Sequence, residues 1–428
     1  MKNFLSFFKK LYNKIIYSIA FYPVIITIGL FFLAWLSLFA EDFEVVTTLK
    51  EKVPHLIIQD RETARVILST LVGSILSLTV FSFTMVMVVL NQASANFSPR
   101  LLPGLISNKR HQIILGVYIG TLTYCMIILI SLGAYGVDSK SFGLSTMIAA
   151  LLGVLCVGLF VSFINSISGA IQIHNIIDRV ARSSAKKLKE QKINMSSEAA
   201  SESTKDISFS QELKMDETGF YRGFDIPLIA DELKDKDNVI NILAYEDQHL
   251  WEGTPIVRIE HSLDEDEIEA LRLGLHISTN RHEGNSSLGG MIKLMEVAVK
   301  AMSPGINDPG TAISVITRLG TLMNTVLQIP NEVLLNPKDC NLKVIGSTIS
   351  GKILMQTIVQ PIRLYSKKDS SVMMALINAL RFIQSNSNIS KEKREDVARE
   401  LMAIAEDIKL NIENEMDKKN TLSLLHGQ

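Results

Sequence analysis

The groups best placed to do chemistry in this chain are hydroxyls set in an uncharged apolar stretch. Between Val66 and Pro99 there is no Asp, Glu, Lys, Arg or His, yet Ser69, Thr70, Ser74, Ser77, Thr79, Ser82 and Thr84 interrupt the aliphatic residues. At helical spacing Thr70, Gly73, Ser74, Ser77 and Thr84 share one face. Such a face has two uses. Its small residues can pack helix on helix with each hydroxyl bonded to the preceding turn, or its hydroxyls can line a hydrated pathway. Asn165, with Ser166 and Ser168, forms the other dense polar group inside an apolar run. Arg100 follows the first stretch between Pro99 and Pro103. A guanidinium there either snorkels to lipid headgroups or clamps a carbonyl or carboxylate of the polar part of the chain.

A second motif, AMSPGINDPGTA, runs from Ala301 to Ala312. Pro304 and Gly305 stop one helix, and Asp308 is placed to N-cap the next with Pro309 at its first position. Asn307, Asp308 and Thr311 are the candidate ligand or interface residues of this turn, the alternative being a purely structural reversal. The carboxylate of Asp308 already faces the helix amides, which argues against phosphate there. His174 and Asp178, four apart, could hold an ion or form a surface or helix-packing contact. Arg281, His282 and Glu283 beside His276 read as an exposed helix end.

Other chemistry is missing from the sequence. There is no P-loop, GxGxxG, HExxH or GxSxG motif, and the eight histidines lack metal-ligand spacing. Three cysteines (Cys125, Cys156, Cys340) give neither a disulfide framework nor a CxxC pair. No lysine sits in a tight turn of the kind that carries biotin or lipoate. No catalytic residue, cofactor or metal site is expected, nor is enzymatic activity. A net charge of −1 leaves no large basic surface for nucleic acid.

The elements that carry these residues divide the chain. Residues 1–14 form an amphipathic arm, with Phe4, Phe7, Phe8 and Leu11 opposite Lys9, Lys10 and Lys14. Residues 15–172 hold four spans, at about 15–40, 64–97, 113–135 and 146–171, each long enough for a roughly 30 Å hydrocarbon core. The first is too long for a signal h-region and no A-x-A site follows it, so it is expected to stay uncleaved. Lys and Arg before the first span, between the second and third, and after the fourth place those segments in the cytoplasm, with both termini inside. Residues 173–206 read as a helical stalk to about Lys189 and a polar linker. Residues 207–262 alternate in short runs such as VINILAY and PIVRIE around a WEGTP turn, as in a small β-barrel or β-sandwich. Residues 263–428 are mainly helical, ending in an amphipathic helix with a stripe of Val397, Leu401, Ile404 and Ile408. The fold class is a mainly α membrane protein: four transmembrane helices, then a cytoplasmic α+β region.

NQASANFSPRLLPGL at the second-span exit, HQIILGVYIGTLTYC at the third-span entry and AMSPGINDPGTA resemble the bacterial predicted-membrane-protein family numbered 2254 among domains of unknown function. The likeness covers nearly the whole chain. It implies a bacterial plasma (inner) membrane protein but supplies no activity. One departure is that the family often carries histidine near the inner end of the fourth span, where this chain has Asn165 and Ser166. The expected function is an oligomeric channel or transport-related protein, with the lipid bilayer and further copies of itself as partners. The alternative is a non-transporting scaffold or sensor whose cytoplasmic domain binds a partner or small ligand.

Overall fold

The computed structural model describes residues 20–41, 43, 58, 60–96, 109–134, 143–194, 207–225, 229, 231–279, 286–335 and 341–426. The arm 1–14, Arg100, residues 195–206 of the linker, Arg281 to Glu283 and Cys340 lie outside them. The chain forms two compact units, Met1–Gln172 and Ile173–Gln428.

The first unit contains α1 (Phe21–Ala40), α2 (Arg61–Asn96), α3 (Lys109–Ala134) and α4 (Gly143–Ile171). All four are long and apolar enough to cross a membrane. In α2, Leu68, Ile75, Ser82 and Val89 recur every seven residues and are all buried. That spacing keeps one seam of the helix turned inward along its whole length. In α3, Gly116 and Gly120 form a GxxxG pair on which α1 rests. A Cβ at Gly116 would stand 2.9 Å from Pro23 Cα, and one at Gly120 would stand 2.6 Å from Leu30 Cδ1. With no side chain in the way, the two backbones approach closely, which is how apolar helices gain contact where lipid offers no hydrophobic drive. Tyr118, Tyr124 and Phe163 fill the interior with Leu68, Ile75 and Ile128.

The second unit opens with α5 (Ile173–Asn194). The helix read to about Lys189 runs on to Asn194, into the start of the stretch read as a linker. It does not stand free. Its face of Ile176, Ile177, Ala181, Ser184 and Leu188 is buried, against α8 (Ser287–Ala301) and α9 (Pro309–Leu327). Strands β1 (Gln211–Lys214), β2 (Gly219–Phe224), β3 (Val239–Ile242), β4 (His249–Leu250) and β5 (Pro255–Ile259) follow α5, with α6 (Asp231–Lys234) before β3. The sequence runs VINILAY and PIVRIE become β3 and β5, and Gly253 turns between β4 and β5 at φ +79°.

The strands make two open sheets instead of a closed barrel. One is ordered β1-β5-β3-β8-β7 and the other β4-β2-β6. Tyr221 of the smaller sheet packs in one core with Ile240, Ile242, Val257 and Val344 of the larger, as in a sandwich. The β region is not confined to 207–262. β6 (Leu275–Ser278), β7 (Glu332–Leu334) and β8 (Lys343–Ser347) come from the stretch read as helical, β6 directly after α7 (Glu265–Gly274). β8 pairs parallel to β3, which requires the long crossover through α8 and α9.

The remaining helices are α10 (Gly351–Leu354), continued by a π turn at Met355–Val359 into α11 (Gln360–Ser366), then α12 (Ser370–Gln384), α13 (Lys391–Asn411) and α14 (Glu415–His426). Sequence periodicity did not indicate the 351–366 helix, where Pro361 falls just after the π turn and removes a backbone donor. The expected stripe of α13 is buried at all four positions. Arg363 of α11 reaches two carboxylates of α13, Glu400 at 2.8 Å and Asp407.

Candidate functional site

The hydroxyl stripe of α2 lies on the outside of its unit. Thr70, Ser74, Ser77 and Thr84 are all exposed, a half-turn away from the buried seam. Thr70 Oγ1 donates to Val66 O at 2.8 Å and Ser77 Oγ to Gly73 O at 2.9 Å, so these hydroxyls are satisfied by their own helix. A Cβ added at Gly73 would meet nothing within 4 Å. Asn165 of α4 is also exposed, while its neighbour Ser166 lies 3.1 Å from His111 Nε2 of α3.

The interior carries a different set of polar groups, which spacing on α2 could not reveal. At one end Glu41 accepts from Ser145 N at 2.8 Å and Ser145 Oγ at 3.0 Å, so a carboxylate caps the first turn of α4. Tyr124 Oη donates to Ser37 Oγ at 2.9 Å and lies 3.1 Å from Ser145 O. Deeper in, Cys156 Sγ lies 3.6 Å from Thr121 Oγ1. Ser82 and Tyr118 are buried beside one another. The available signal was Tyr118, Thr121 and Tyr124 at three-residue intervals in GVYIGTLTYC, since tyrosine in the middle of a span needs a polar partner.

In the second unit the AMSPGINDPGTA turn folds as its residues dictate. Asn307 adopts φ +48°, a left-handed conformation that asparagine tolerates. Asp308 accepts from Thr311 N at 3.0 Å and Thr311 Oγ1 at 2.6 Å, with Pro309 in the first turn of α9. Those two hydrogen bonds hold its carboxyl below the usual range, and His174 of α5 adds a smaller effect in the same direction. Asp178, one turn after His174, pairs at 2.9 Å with Arg318 of α9. It is thus a helix-packing contact between α5 and α9.

A second polar group joins α5, the sheets and α8. Arg222 of β2 pairs with Asp247, whose other oxygen accepts from Ser286, the N-cap of α8. Asp247 holds φ +72° to reach both. Beside it, Glu246 accepts from Gln191 Nε2 at 2.5 Å, and Ser287 Oγ donates to Gln191 Oε1 at 3.2 Å. Burial pushes the Glu246 carboxyl above its ordinary value, and the Gln191 bond and the nearby Lys187 and Arg222 charges act the other way. Burial lowers the Lys293 ammonium, with Lys187 adding to the shift.

Four helices of spanning length followed by an α+β unit define an integral membrane protein. The family described as "Predicted membrane protein (DUF2254)" matches residues 17–381, and the chain belongs to it. No curated protein and no solved structure matches the chain.

Proposed function

We propose that this protein works as a homo-oligomer in a bacterial inner membrane, with both termini cytoplasmic, and that it is a non-enzymatic channel or transport-related protein. The stripe of α2 supports this reading. A single copy fills its own interior with Tyr118, Tyr124 and Phe163, so a path for solute runs between copies, and Thr70, Ser74, Ser77 and Thr84 are the polar residues presented there. The second unit, in the cytoplasm, then serves to assemble or gate the oligomer. No nucleic acid enters this reading.

The scaffold or sensor reading draws on a specific observation, that Thr70 and Ser77 spend their hydroxyls on their own helix. Under it the stripe packs copies together and conducts nothing. One experiment separates the two. Mass photometry in detergent compares the wild-type chain with Gly73→Leu, at a position where an added Cβ meets nothing within 4 Å inside one copy. An assembled wild type and a dissociated variant support the oligomer, and a monomeric wild type overturns it. Liposome flux through the wild type, abolished in Ser77→Leu, supports the channel. An intact oligomer without flux leaves the scaffold.

A further inference from the structure

One residue, Gln172, separates Ile171 at the end of α4 from Ile173 at the start of α5. Two peptide steps cover less than about 8 Å. The covalent chain alone therefore holds the first turn of α5, and whatever packs level with it, at the edge of the bilayer that α4 crosses. What packs there follows from register. α5 and α8 run antiparallel, because Ser287 at the start of α8 bonds to Gln191 at 3.2 Å and a Cβ on Gly290 would strike Ser184 Oγ. Ala301, eleven residues after Gly290, is then level with Ile173, eleven residues before Ser184. The Asp178–Arg318 pair and the effect of His174 on Asp308 place the start of α9 at the same end.

The AMSPGINDPGTA turn closes that end. Asp308 N donates to Ala301 O at 2.8 Å, so the chain leaves and re-enters at one level, and Pro304, Gly305, Ile306 and Asn307 protrude past it, all exposed. The tip bears no charge. Ser303 to Asn307 has no ionisable side chain, and the Asp308 carboxylate is turned back onto Thr311 N at 3.0 Å and Oγ1 at 2.6 Å. Two of its amides, Ile306 N and Asn307 N, are already bonded to Ser303 O at 3.0 Å. Its one large apolar side chain, Ile306, is 41 % exposed. Reversing the chain needs the left-handed Asn307 and the Asp308 cap, and neither requires isoleucine at 306. We propose that the Pro304–Asn307 tip rests in the headgroup layer of the bilayer that the chain itself crosses, with Ile306 set into the acyl boundary. An uncharged, internally bonded turn loses little solvation there, and an exposed apolar side chain gains an apolar surrounding. The contact requires neither an oligomer nor flux, so it stands under both readings above.

The test uses the full chain in vesicles of phosphatidylcholine and phosphatidylglycerol, with Cys340→Ser and the buried Cys125 and Cys156 left in place. Gly305→Cys, at a position where an added Cβ meets nothing within 4 Å, carries a nitrobenzoxadiazole label and keeps Ile306. Lys189→Cys, exposed sixteen residues along α5 from Ile173, carries the same label as the control. Nitroxide placed near the lipid headgroups should quench the label at 305 at least about threefold more than the label at 189, with blue-shifted emission at 305. Ile306→Asp in the Gly305→Cys chain should bring quenching down to the control level. Quenching no stronger at 305 than at 189 overturns the proposal. So does blue-shifted but unquenched emission, which would mean that protein covers the tip, and so does water-like emission quenched by aqueous iodide. Unchanged quenching in Ile306→Asp overturns the insertion of Ile306.

Discussion

Glu41, just past the end of α1, accepts two hydrogen bonds from Ser145 in the first turn of α4, one from the backbone and one from the hydroxyl. The carboxylate is 5 % exposed, so the helix amides and the Ser145 hydroxyl take over the role of solvent. Replacing Glu41 by Ala should destabilise the four-helix unit by about 2 kcal/mol, and Glu41→Gln by about half as much, since an amide oxygen still accepts but carries no charge. Thermal exposure of the Cys125 and Cys156 thiols in the full chain measures both. Equal midpoints for Gln and wild type would show that charge plays no part in the cap.

The GxxxG pair of α3 makes a second prediction. Gly116→Leu drives a side chain of α3 into the Pro23 backbone of α1, a contact that cannot move aside, so α1 should detach. A cysteine at Ile26, unreactive in the wild-type background, should then react with a small thiol reagent. Persistent protection in Gly116→Leu would mean that α1 is held by its other contacts.

The AMSPGINDPGTA turn is testable by backbone chemistry. Asn307 sits at φ +48°, so Asn307→Gly should be close to neutral while Asn307→Val should cost more than 1 kcal/mol. Asp308→Ala removes the cap of α9 and should cost about 1 kcal/mol. Hydrogen exchange across residues 309–315 in the full chain reads these changes locally. Val and Gly behaving alike would refute the role assigned to the left-handed residue.

Lys393 of α13 is 2 % exposed, and its Nζ donates to Ile329 O at 2.5 Å, just past the end of α9. Burial lowers its pKa from 10.5 to about 8, with Glu392 and Asp396 opposing. The unfolded chain therefore binds more protons than the folded one between pH 8 and 10.5. Stability from this group rises with pH across that window, by on the order of 3 kcal/mol, and the full penalty is present below pH 8. The difference between wild type and Lys393→Met, followed by hydrogen exchange of residues 391–411, should carry that slope. A pH-independent difference would refute the buried ammonium.

Arg363 joins α11 to α13 through Glu400 and Asp407, with all three side chains less than one-fifth exposed. Arg363→Met leaves two buried carboxylates without their cation and should cost about 3 kcal/mol. Arg363→Lys should recover less than half of this, because an ammonium does not fork to both. Urea titration of exchange in α11 and α13 compares the variants, and full recovery by Lys would make the forked geometry irrelevant.

What the sequence alone determined was set by local rules. Four uncharged runs of spanning length can be satisfied only as helices in an apolar medium, and Asp308-Pro309 after Pro304-Gly305 allows little except a stop and a capped restart. The amphipathic stripe of α13 and the β3 and β5 runs were legible for the same reason, since period and turn chemistry act within a few residues. Tertiary structure decided which face of each element turned inward. The stripe of Thr70 and Ser77 and the seam of Leu68, Ile75, Ser82 and Val89 lie on the same helix, and composition drew attention to the first. The second is buried, because α3 and α4 offer it close-packed aliphatic and aromatic partners. Likewise β6, β7 and β8 are short strands whose pairing energy comes from neighbours distant in the chain, so no local window contained it. Ser82 meets Tyr118 for the same reason: helices in lipid gain most from close packing, and a seam chosen for shape brings together polar groups that no spacing rule relates.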